Sequence, residues 1–258
     1  MGNLNNTISC DHVFQYYECD KNGRVILSKL MSMLLALSFH QADSLNIGTD
    51  LLMQLNLGWV ITEYEVIVNK LPKEHDKVVL ETKATCKNRY FAYRQFFVRD
   101  GNNILVQINA ICVVIDKNKR RIVSIPEKIV NGYNFNNVKE VPRLKKPTSL
   151  KSLDKKADSC KEYMVRYFDI DTNDHVNNVN YFDWIMDVLP SHFLDNFNIN
   201  KMIIKFENEV TYGQKIESSV IKEEKNNGIV HTIHSISKDD VVFAEAELIW
   251  GKNNHHVV

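Results

Sequence analysis

One stretch gathers several groups able to move protons or hold a developing negative charge. Asp171, Asn173 and His175 stand two residues apart. A short extended turn with that spacing presents all three side chains to one side. An apolar run follows at helical spacing: Val179, Phe182, Ile185, Met186 and Leu189. Pro190 closes it. A carboxylate, an amide and an imidazole at a helix N-terminus suit acyl chemistry. The helix start offers main-chain N–H groups to an oxyanion, and the side chains handle protons. Capping by Asp or Asn explains one or two of these residues. It does not call for a histidine, the Asn177-Asn178 pair and the ordered aromatics Tyr181 and Trp184.

The run Asp171-x-Asn173-x-His175-Val-Asn-Asn178-x-x-Tyr181-x-x-Trp184 resembles the signature of the acyl-ACP thioesterases (ACP, acyl carrier protein), the plant FatA/FatB group and their bacterial relatives. The resemblance covers nearly the whole chain. It implies a tandem double hotdog, hydrolysis of fatty acyl-ACP to free fatty acid, and the acyl carrier protein as partner. It also matches Glu209 to a family glutamate implicated in catalysis. Plant members often carry a cysteine directly after that glutamate; here the residue is Val210, and no cysteine follows Cys160. Attack by activated water or by a carboxylate is therefore expected, rather than a thiol acyl-enzyme.

Composition narrows the function classes. Of 258 residues, 44% are hydrophobic and 25% charged, as in a globular protein. A formal net charge of +0 argues against a general nucleic-acid binder. Cys10, Cys19, Cys86, Cys112 and Cys160 form no metal-ligand spacing and read as reduced thiols of a cytoplasmic protein. The first ten residues are polar and show no secretory leader. The most apolar run, 30–39, is about half as long as a membrane span. No membrane insertion is expected. With 9 glycines and no phosphate-cradling loop, neither a cofactor nor a metal is expected.

The elements around the motif follow from periodicity. Residues 13–19 read as an aromatic strand and 20–24 as a turn. A helix capped by Ser28 runs to about Asn46, apolar on most sides and therefore buried. Strands are expected at 59–71, 77–87, 90–100 and 104–116, with a turn at Asp100-Gly101. A polar segment, 131–159, has linker composition. Then come a strand at 164–168, the turn, a helix from Val179 to about Phe197, and strands at 201–210, 215–224, 229–237 and 241–250. Asn226-Asn227-Gly228 reads as a hairpin turn.

The chain therefore spells strand, turn, helix and four strands, twice. Tyr17-x-x-Asp20-x-Asn22-x-Arg24 aligns without a gap on Phe168-x-x-Asp171-x-Asn173-x-His175, and Leu30 then aligns with Tyr181. Each copy is read as a curled antiparallel sheet wrapping one long helix, an α+β tandem double hotdog. The expected division is 1–130 (N-terminal hotdog, scaffold and acyl pocket), 131–159 (linker) and 160–258 (catalytic hotdog). Arg24 stands where the second copy has His175, and arginine cannot act as a base near neutral pH. Only the C-terminal copy is equipped for chemistry.

The candidate catalytic set is Asp171, Asn173, His175 and Glu209. Glu209 activates water while His175 positions it or shares its proton, or the two exchange roles. Asn173 and helix N–H groups polarise the carbonyl, and Asp171 orients the turn. Glu207, two residues from Glu209, is easily confused with it. Met33, Leu34, Leu37, Tyr181 and Trp184 are candidate acyl contacts; each also fits plain core packing. Two basic clusters are candidate ACP docking patches: Lys117, Lys119, Arg120 and Arg121, and Arg143, Lys145, Lys146, Lys151, Lys155 and Lys156. A homodimer is compatible with this reading. The rivals are an acyl-CoA thioesterase on the same fold, a non-catalytic acyl-binding hotdog and a hotdog dehydratase. The retained polar ladder speaks against the second, and the motif does not resemble the third.

Overall fold

The computed structural model describes residues 6–225 and 228–253. The asparagines of the expected turn at 226–227 lie outside the described residues. The chain divides into two compact units, Met1–Tyr64 with Asn69–Leu144, and Glu65–Val68 with Lys145–Val258. No helix among the described residues is long and apolar enough to cross a membrane.

In the first unit, β1 (Thr7–Val13) leads through a 3-10 turn at Tyr16–Glu18 to α1 (Leu27–Ser44) and α2 (Thr49–Gln54). Four strands follow: β2 (Leu57–Val68), β3 (Lys77–Lys87), β4 (Phe91–Asp100) and β5 (Asn103–Asp116). Their order in the sheet is β1-β3-β4-β5-β2. The short β6 (Arg121–Val123) pairs with β5; after α3 (Glu127–Tyr133), β7 (Asn136–Asn137) pairs with β3. Beyond β7, Val141 and Leu144 pack on Cys86, Tyr93 and Ile111. Residues expected as linker thus cover sheet surface.

The second unit repeats the plan. β8 (Ser159–Met164), a 3-10 turn at Tyr167–Asp169, α4 (Asn178–Asp187) and α5 (Ser191–Asn196) lead to β9 (Phe197–Phe206), β10 (Lys215–Glu224), β11 (Ile229–Lys238) and β12 (Val241–Lys252). The order β8-β10-β11-β12-β9 is the first unit's order restated. Registers agree residue for residue: Val13 faces Lys77, and Met164 faces Lys215. Left-handed backbone recurs at matching places: Gly23 (φ 70°) and Asp174 (φ 63°), His75 (φ 70°) and Gly213 (φ 77°), Gly101 (φ 54°) and Asp239 (φ 51°). Two matching sets of strands, each with its own helix, make a tandem hotdog.

Helix spacing explains the packing. Leu27, Leu30, Met31, Leu34, Leu37 and Gln41 recur every three or four residues and form the buried stripe of α1. Ser32, Ala36, Phe39 and His40 are exposed. The helix is therefore covered on one side and not sunk on all sides as its composition suggested, because the sheet shields a single face. Its N-cap is Ile26 rather than Ser28, which lies buried within the first turn. In the second unit Val179, Tyr181, Phe182, Trp184 and Ile185 are the buried face of α4. The single helix expected over 179–197 is broken at Pro190, which lacks the N–H a continuing helix needs.

Two strand expectations fail for one reason. Residues 14–19 and 165–168 are not strand; β1 and β8 stop at Val13 and Met164. Aromatic content suggested strand there, yet Tyr16, Tyr17, Tyr167 and Phe168 are exposed on the 3-10 turns. Glu18 and Asp169 fix those turns: their carboxylates accept the main-chain N–H groups of Gln15 (2.9 Å) and Arg166 (2.8 Å).

Candidate active site

The turn after the second 3-10 segment closes on itself. The Asp171 N–H donates to the His175 carbonyl (2.8 Å), the Asp174 N–H to the Asp171 carbonyl (3.1 Å), and Ile170 bridges Val176. This is a tight turn, not the extended ladder the alternate spacing suggested. Asp171 serves the turn: one carboxylate oxygen accepts the Asn173 N–H (2.7 Å), and the other faces the Asn173 amide (3.4 Å). Asn173 is exposed. Asn177 caps α4 through a 3.2 Å bond from the Val179 N–H, and its carbonyl accepts the Asn180 N–H (2.9 Å). Two main-chain donors at the helix start are thereby occupied.

The imidazole of His175 meets the carboxylate of Glu209. His175 Nε2 lies 3.1 Å from Glu209 Oε2, with the side chains 20% and 38% exposed. This pair is held from behind. The Val176 N–H donates to the Val210 carbonyl (2.9 Å), so the residues following the histidine and the glutamate are tied main chain to main chain. Both valines are buried. β9 ends at Phe206, so Glu209 sits on the loop beyond it rather than on the expected strand. The loop is anchored upstream: the Glu207 N–H donates to the Phe243 carbonyl (2.8 Å), and the Asn208 amide to the Val242 carbonyl (2.7 Å). Glu207 is distinguished from Glu209 by its partner, the Lys205 ammonium.

Below the turn, Asp169 is almost fully buried. Burial would raise its carboxyl, but the Arg166 side chain and main chain hydrogen-bond it, and the net position is below the usual carboxylate range. Tyr181 and Trp184 are buried on α4; the Tyr181 ring lies 5.4 Å from Trp184 and meets Phe206 edge-on at 5.2 Å. Tyr167, Phe168 and Tyr212 stand exposed around the turn. In the first unit, Leu34 and Leu37 are buried on α1 and Met33 is half-buried. Among the described residues, no three His, Cys, Asp or Glu side chains gather as a metal ion requires.

The first unit builds the same turn without the pair. The Asp20 N–H donates to the Arg24 carbonyl (2.7 Å), Cys19 bridges Val25, and the Val25 N–H donates to the Pro72 carbonyl (2.9 Å). Arg24 folds back on Asp20, Nη2 to Oδ2 at 2.8 Å. Because Pro72 occupies Val210's place, Leu71 occupies that of Glu209. Sequence alignment of the turns identified Arg24 against His175. The loss of the acid at Leu71 escaped it, since the two helices differ in length and break the alignment before that strand.

A doubled set of strands, each with its own helix, defines a tandem hotdog protein. Sequence models of the Acyl-ACP thioesterase N-terminal and C-terminal domains match residues 7–133 and 152–252. The chain belongs to the acyl-ACP thioesterase family. It is 30% identical over 167 residues to the chloroplastic palmitoyl-acyl carrier protein thioesterase of Arabidopsis thaliana, covering 63% of this chain and 40% of that protein. It is 27% identical over 219 residues to the chloroplastic dodecanoyl-acyl-carrier-protein hydrolase of Cinnamomum camphora, covering 78% and 56%. The chain thus spans about half the length of these plant relatives. A crystal structure from Lactobacillus plantarum assigned as an oleoyl thioesterase superposes with a TM-score of 0.91 at 35% identity, covering 97% of this chain and 99% of that one. The 12:0-ACP thioesterase of Umbellularia californica shares the fold, with a TM-score of 0.82 at 20% identity over 96% and 94% of the two chains.

Proposed function

We propose that this protein hydrolyses fatty acyl-ACP thioesters to free fatty acids, with His175 and Glu209 as the catalytic pair. The observation that carries the reading is their 3.1 Å contact on a tight turn that opens a helix. A thioester needs an activated water and a stabilised oxyanion, while the thiol leaves with little help. In this reading one member of the pair takes a proton from water as its oxygen bonds to the thioester carbon. The carbonyl electrons move to oxygen, then return to break the C–S bond and release the thiolate. The pair then returns that same proton to the sulfur, directly or after passing it across the 3.1 Å contact, and both groups end as they began. Asn173 and Asp171 shape the turn around the reacting carbonyl. Met33, Leu34 and Leu37 are candidates for lining an acyl chamber within the first unit, which serves as scaffold, and Tyr181 and Trp184 for acyl contact in the second.

The carrier proposed is ACP, in the cytoplasm. Of the basic clusters, Lys145, Lys151 and Lys155 already have jobs within the second unit: they hold Glu247, the Asp240 carbonyl and Glu223 at 2.9, 2.8 and 3.1 Å. That supports docking through Lys117 and Arg121 over docking through these three lysines. Purified protein should release fatty acid from acyl-ACP, and His175→Ala and Glu209→Gln should each lower kcat by about a hundredfold or more. Near-parental turnover by both variants, with native circular dichroism, would reject the pair. Equal turnover of acyl-CoA and acyl-ACP would favour the acyl-CoA reading.

A further inference from the structure

Large aromatic rings grouped together in solvent mark a contact surface. Three are grouped beside the catalytic pair: Phe168 is 90% exposed, Tyr167 73% and Tyr212 66%. The Tyr167 ring meets Phe168 edge-on at 5.5 Å and Tyr212 edge-on at 6.4 Å. Main-chain bonds hold them there. The loop that carries Glu209 runs on through Tyr212 and is tied on two sides. Toward the turn, the Val176 N–H donates to the Val210 carbonyl (2.9 Å). Toward the 3-10 segment, the Val165 N–H donates to the Gln214 carbonyl (2.9 Å) and the Gly213 N–H to the Val165 carbonyl (3.2 Å). Tyr212 follows Glu209 by three residues, a span of at most about 10 Å.

The first unit makes the same loop without the third ring. The Phe14 N–H donates to the Asp76 carbonyl (3.2 Å) and the His75 N–H to the Phe14 carbonyl (2.9 Å), the counterparts of the bonds at Val165. Tyr16 and Tyr17 stand exposed, as Tyr167 and Phe168 do. In place of Tyr212, however, the first unit has Glu74, whose carboxylate lies 3.5 Å from His75 Nε2. The fold does not need a ring at this place. Of the two copies, the one with His175 and Glu209 is the one that completes the cluster.

A thioester held at this pair has two substituents. One is the apolar acyl tail. The other, on an acyl carrier protein and on coenzyme A alike, is the pantetheine arm, an extended uncharged chain of amides and methylenes that ends in a phosphate. That arm has to leave the pair toward solvent, where the rings stand. Flat rings suit amide planes and methyl groups and bring no charge of their own. Next to Tyr167, Arg166 is tied to Asp169 with its side chain 73% exposed, and it offers positive charge to the phosphate. We propose that Tyr167, Phe168 and Tyr212 form a platform for the pantetheine arm of the thioester, which Tyr212 completes. This rests on the reading of His175 and Glu209 as the reacting pair.

The test places one acyl group on three thiols: ACP, coenzyme A, and N-acetylcysteamine, which keeps only the sulfur end of the arm. Tyr212→Ser and Phe168→Ser, each with native circular dichroism, should raise KM about five- to tenfold for the first two. The kcat should stay within about twofold, as when binding shared by ground and transition states is lost. The N-acetylcysteamine ester should change by less than about twofold. A rise for acyl-ACP alone would assign the rings to the surface of the carrier protein and overturn the arm. Equal rises on all three thioesters, or none on any, would overturn it too. Binding is read apart from turnover by titrating free pantetheine, at millimolar concentration, against isotope-labelled protein. The amide resonances of Phe168 and Tyr212 should shift in the parent and respond at least about fivefold more weakly in Tyr212→Ser. Absence of those shifts would overturn the platform. Near-parental turnover by His175→Ala and Glu209→Gln would reject the pair, and the titration would still decide the platform.

Discussion

Around Asp20 and around Asp171 the chain builds the same turn, with the same main-chain bonds and left-handed residues at the same step. What differs is the chemistry hung on it. The first turn carries Arg24, paired back onto Asp20, with Leu71, Leu30 and Pro72 around it. The second carries His175 against Glu209, with the Val176–Val210 main-chain bond behind them. The first is a complete structural solution. The main-chain bonds that close the second turn are made there too, without counterparts of the His175 imidazole and the Glu209 carboxylate. The turn is thus a scaffold, and the added groups are what the fold can spare for function.

Converting one turn toward the other tests their equivalence most severely. His175→Arg should lower kcat about a thousandfold while the melting temperature changes little, because arginine already fits this turn in the first unit. A variant that unfolds would show that the two turns are not equivalent scaffolds. Next in size are the helix cores. Leu30→Ala and Phe182→Ala should each destabilise by about 3 kcal/mol in urea titrations, as truncation of fully buried side chains does. Little loss at either site would mean that its helix is not held by its sheet.

A smaller effect belongs to Asp169, which caps the second 3-10 turn. Asp169 has its carboxyl lowered in the fold, so its contribution is present above the unfolded pKa and lost as pH falls through the folded one. Asp169→Asn should therefore cost about 1–3 kcal/mol at pH 7 and much less near pH 2. A loss of equal size at both pH values would assign the effect to packing. Smaller still, reversing the charges of Lys117 and Arg121 should lower kcat/KM for acyl-ACP about tenfold at low salt and spare a small acyl thioester. Equal loss on both substrates would remove that surface from docking.

Much of this arrangement was legible in residue order. Period-two alternation located β3 and β10 to the residue, and the repeat of turn, helix and four strands announced the doubled unit. The His175–Glu209 contact was foreshadowed by the motif's resemblance, since 33 intervening residues give no local signal of proximity. Exposed Tyr and Phe at 16–17 and 167–168 mimicked strand composition, because β propensity reports a half-buried pleated surface and carries no information about a short turn. The Val176–Val210 bond joins the turn to a loop through main-chain atoms, which no side-chain pattern encodes. Glu247 alternates with the apolar residues of β12, a pattern that marks an outward strand residue. It is buried, and the Lys145 ammonium and Thr148 outweigh its burial to hold its carboxyl low. Those partners lie in a segment whose composition suggested only a tether.

The two turns differ most sharply in which of them does the chemistry. Turnover of one acyl-ACP substrate by Glu209→Gln and by Arg24→Ala, each normalised to folded protein in the same assay, decides it. The expected result is a fall of at least about a hundredfold in the first and less than about twofold in the second. Comparable turnover in the two variants, or a deeper loss in Arg24→Ala, would contradict it.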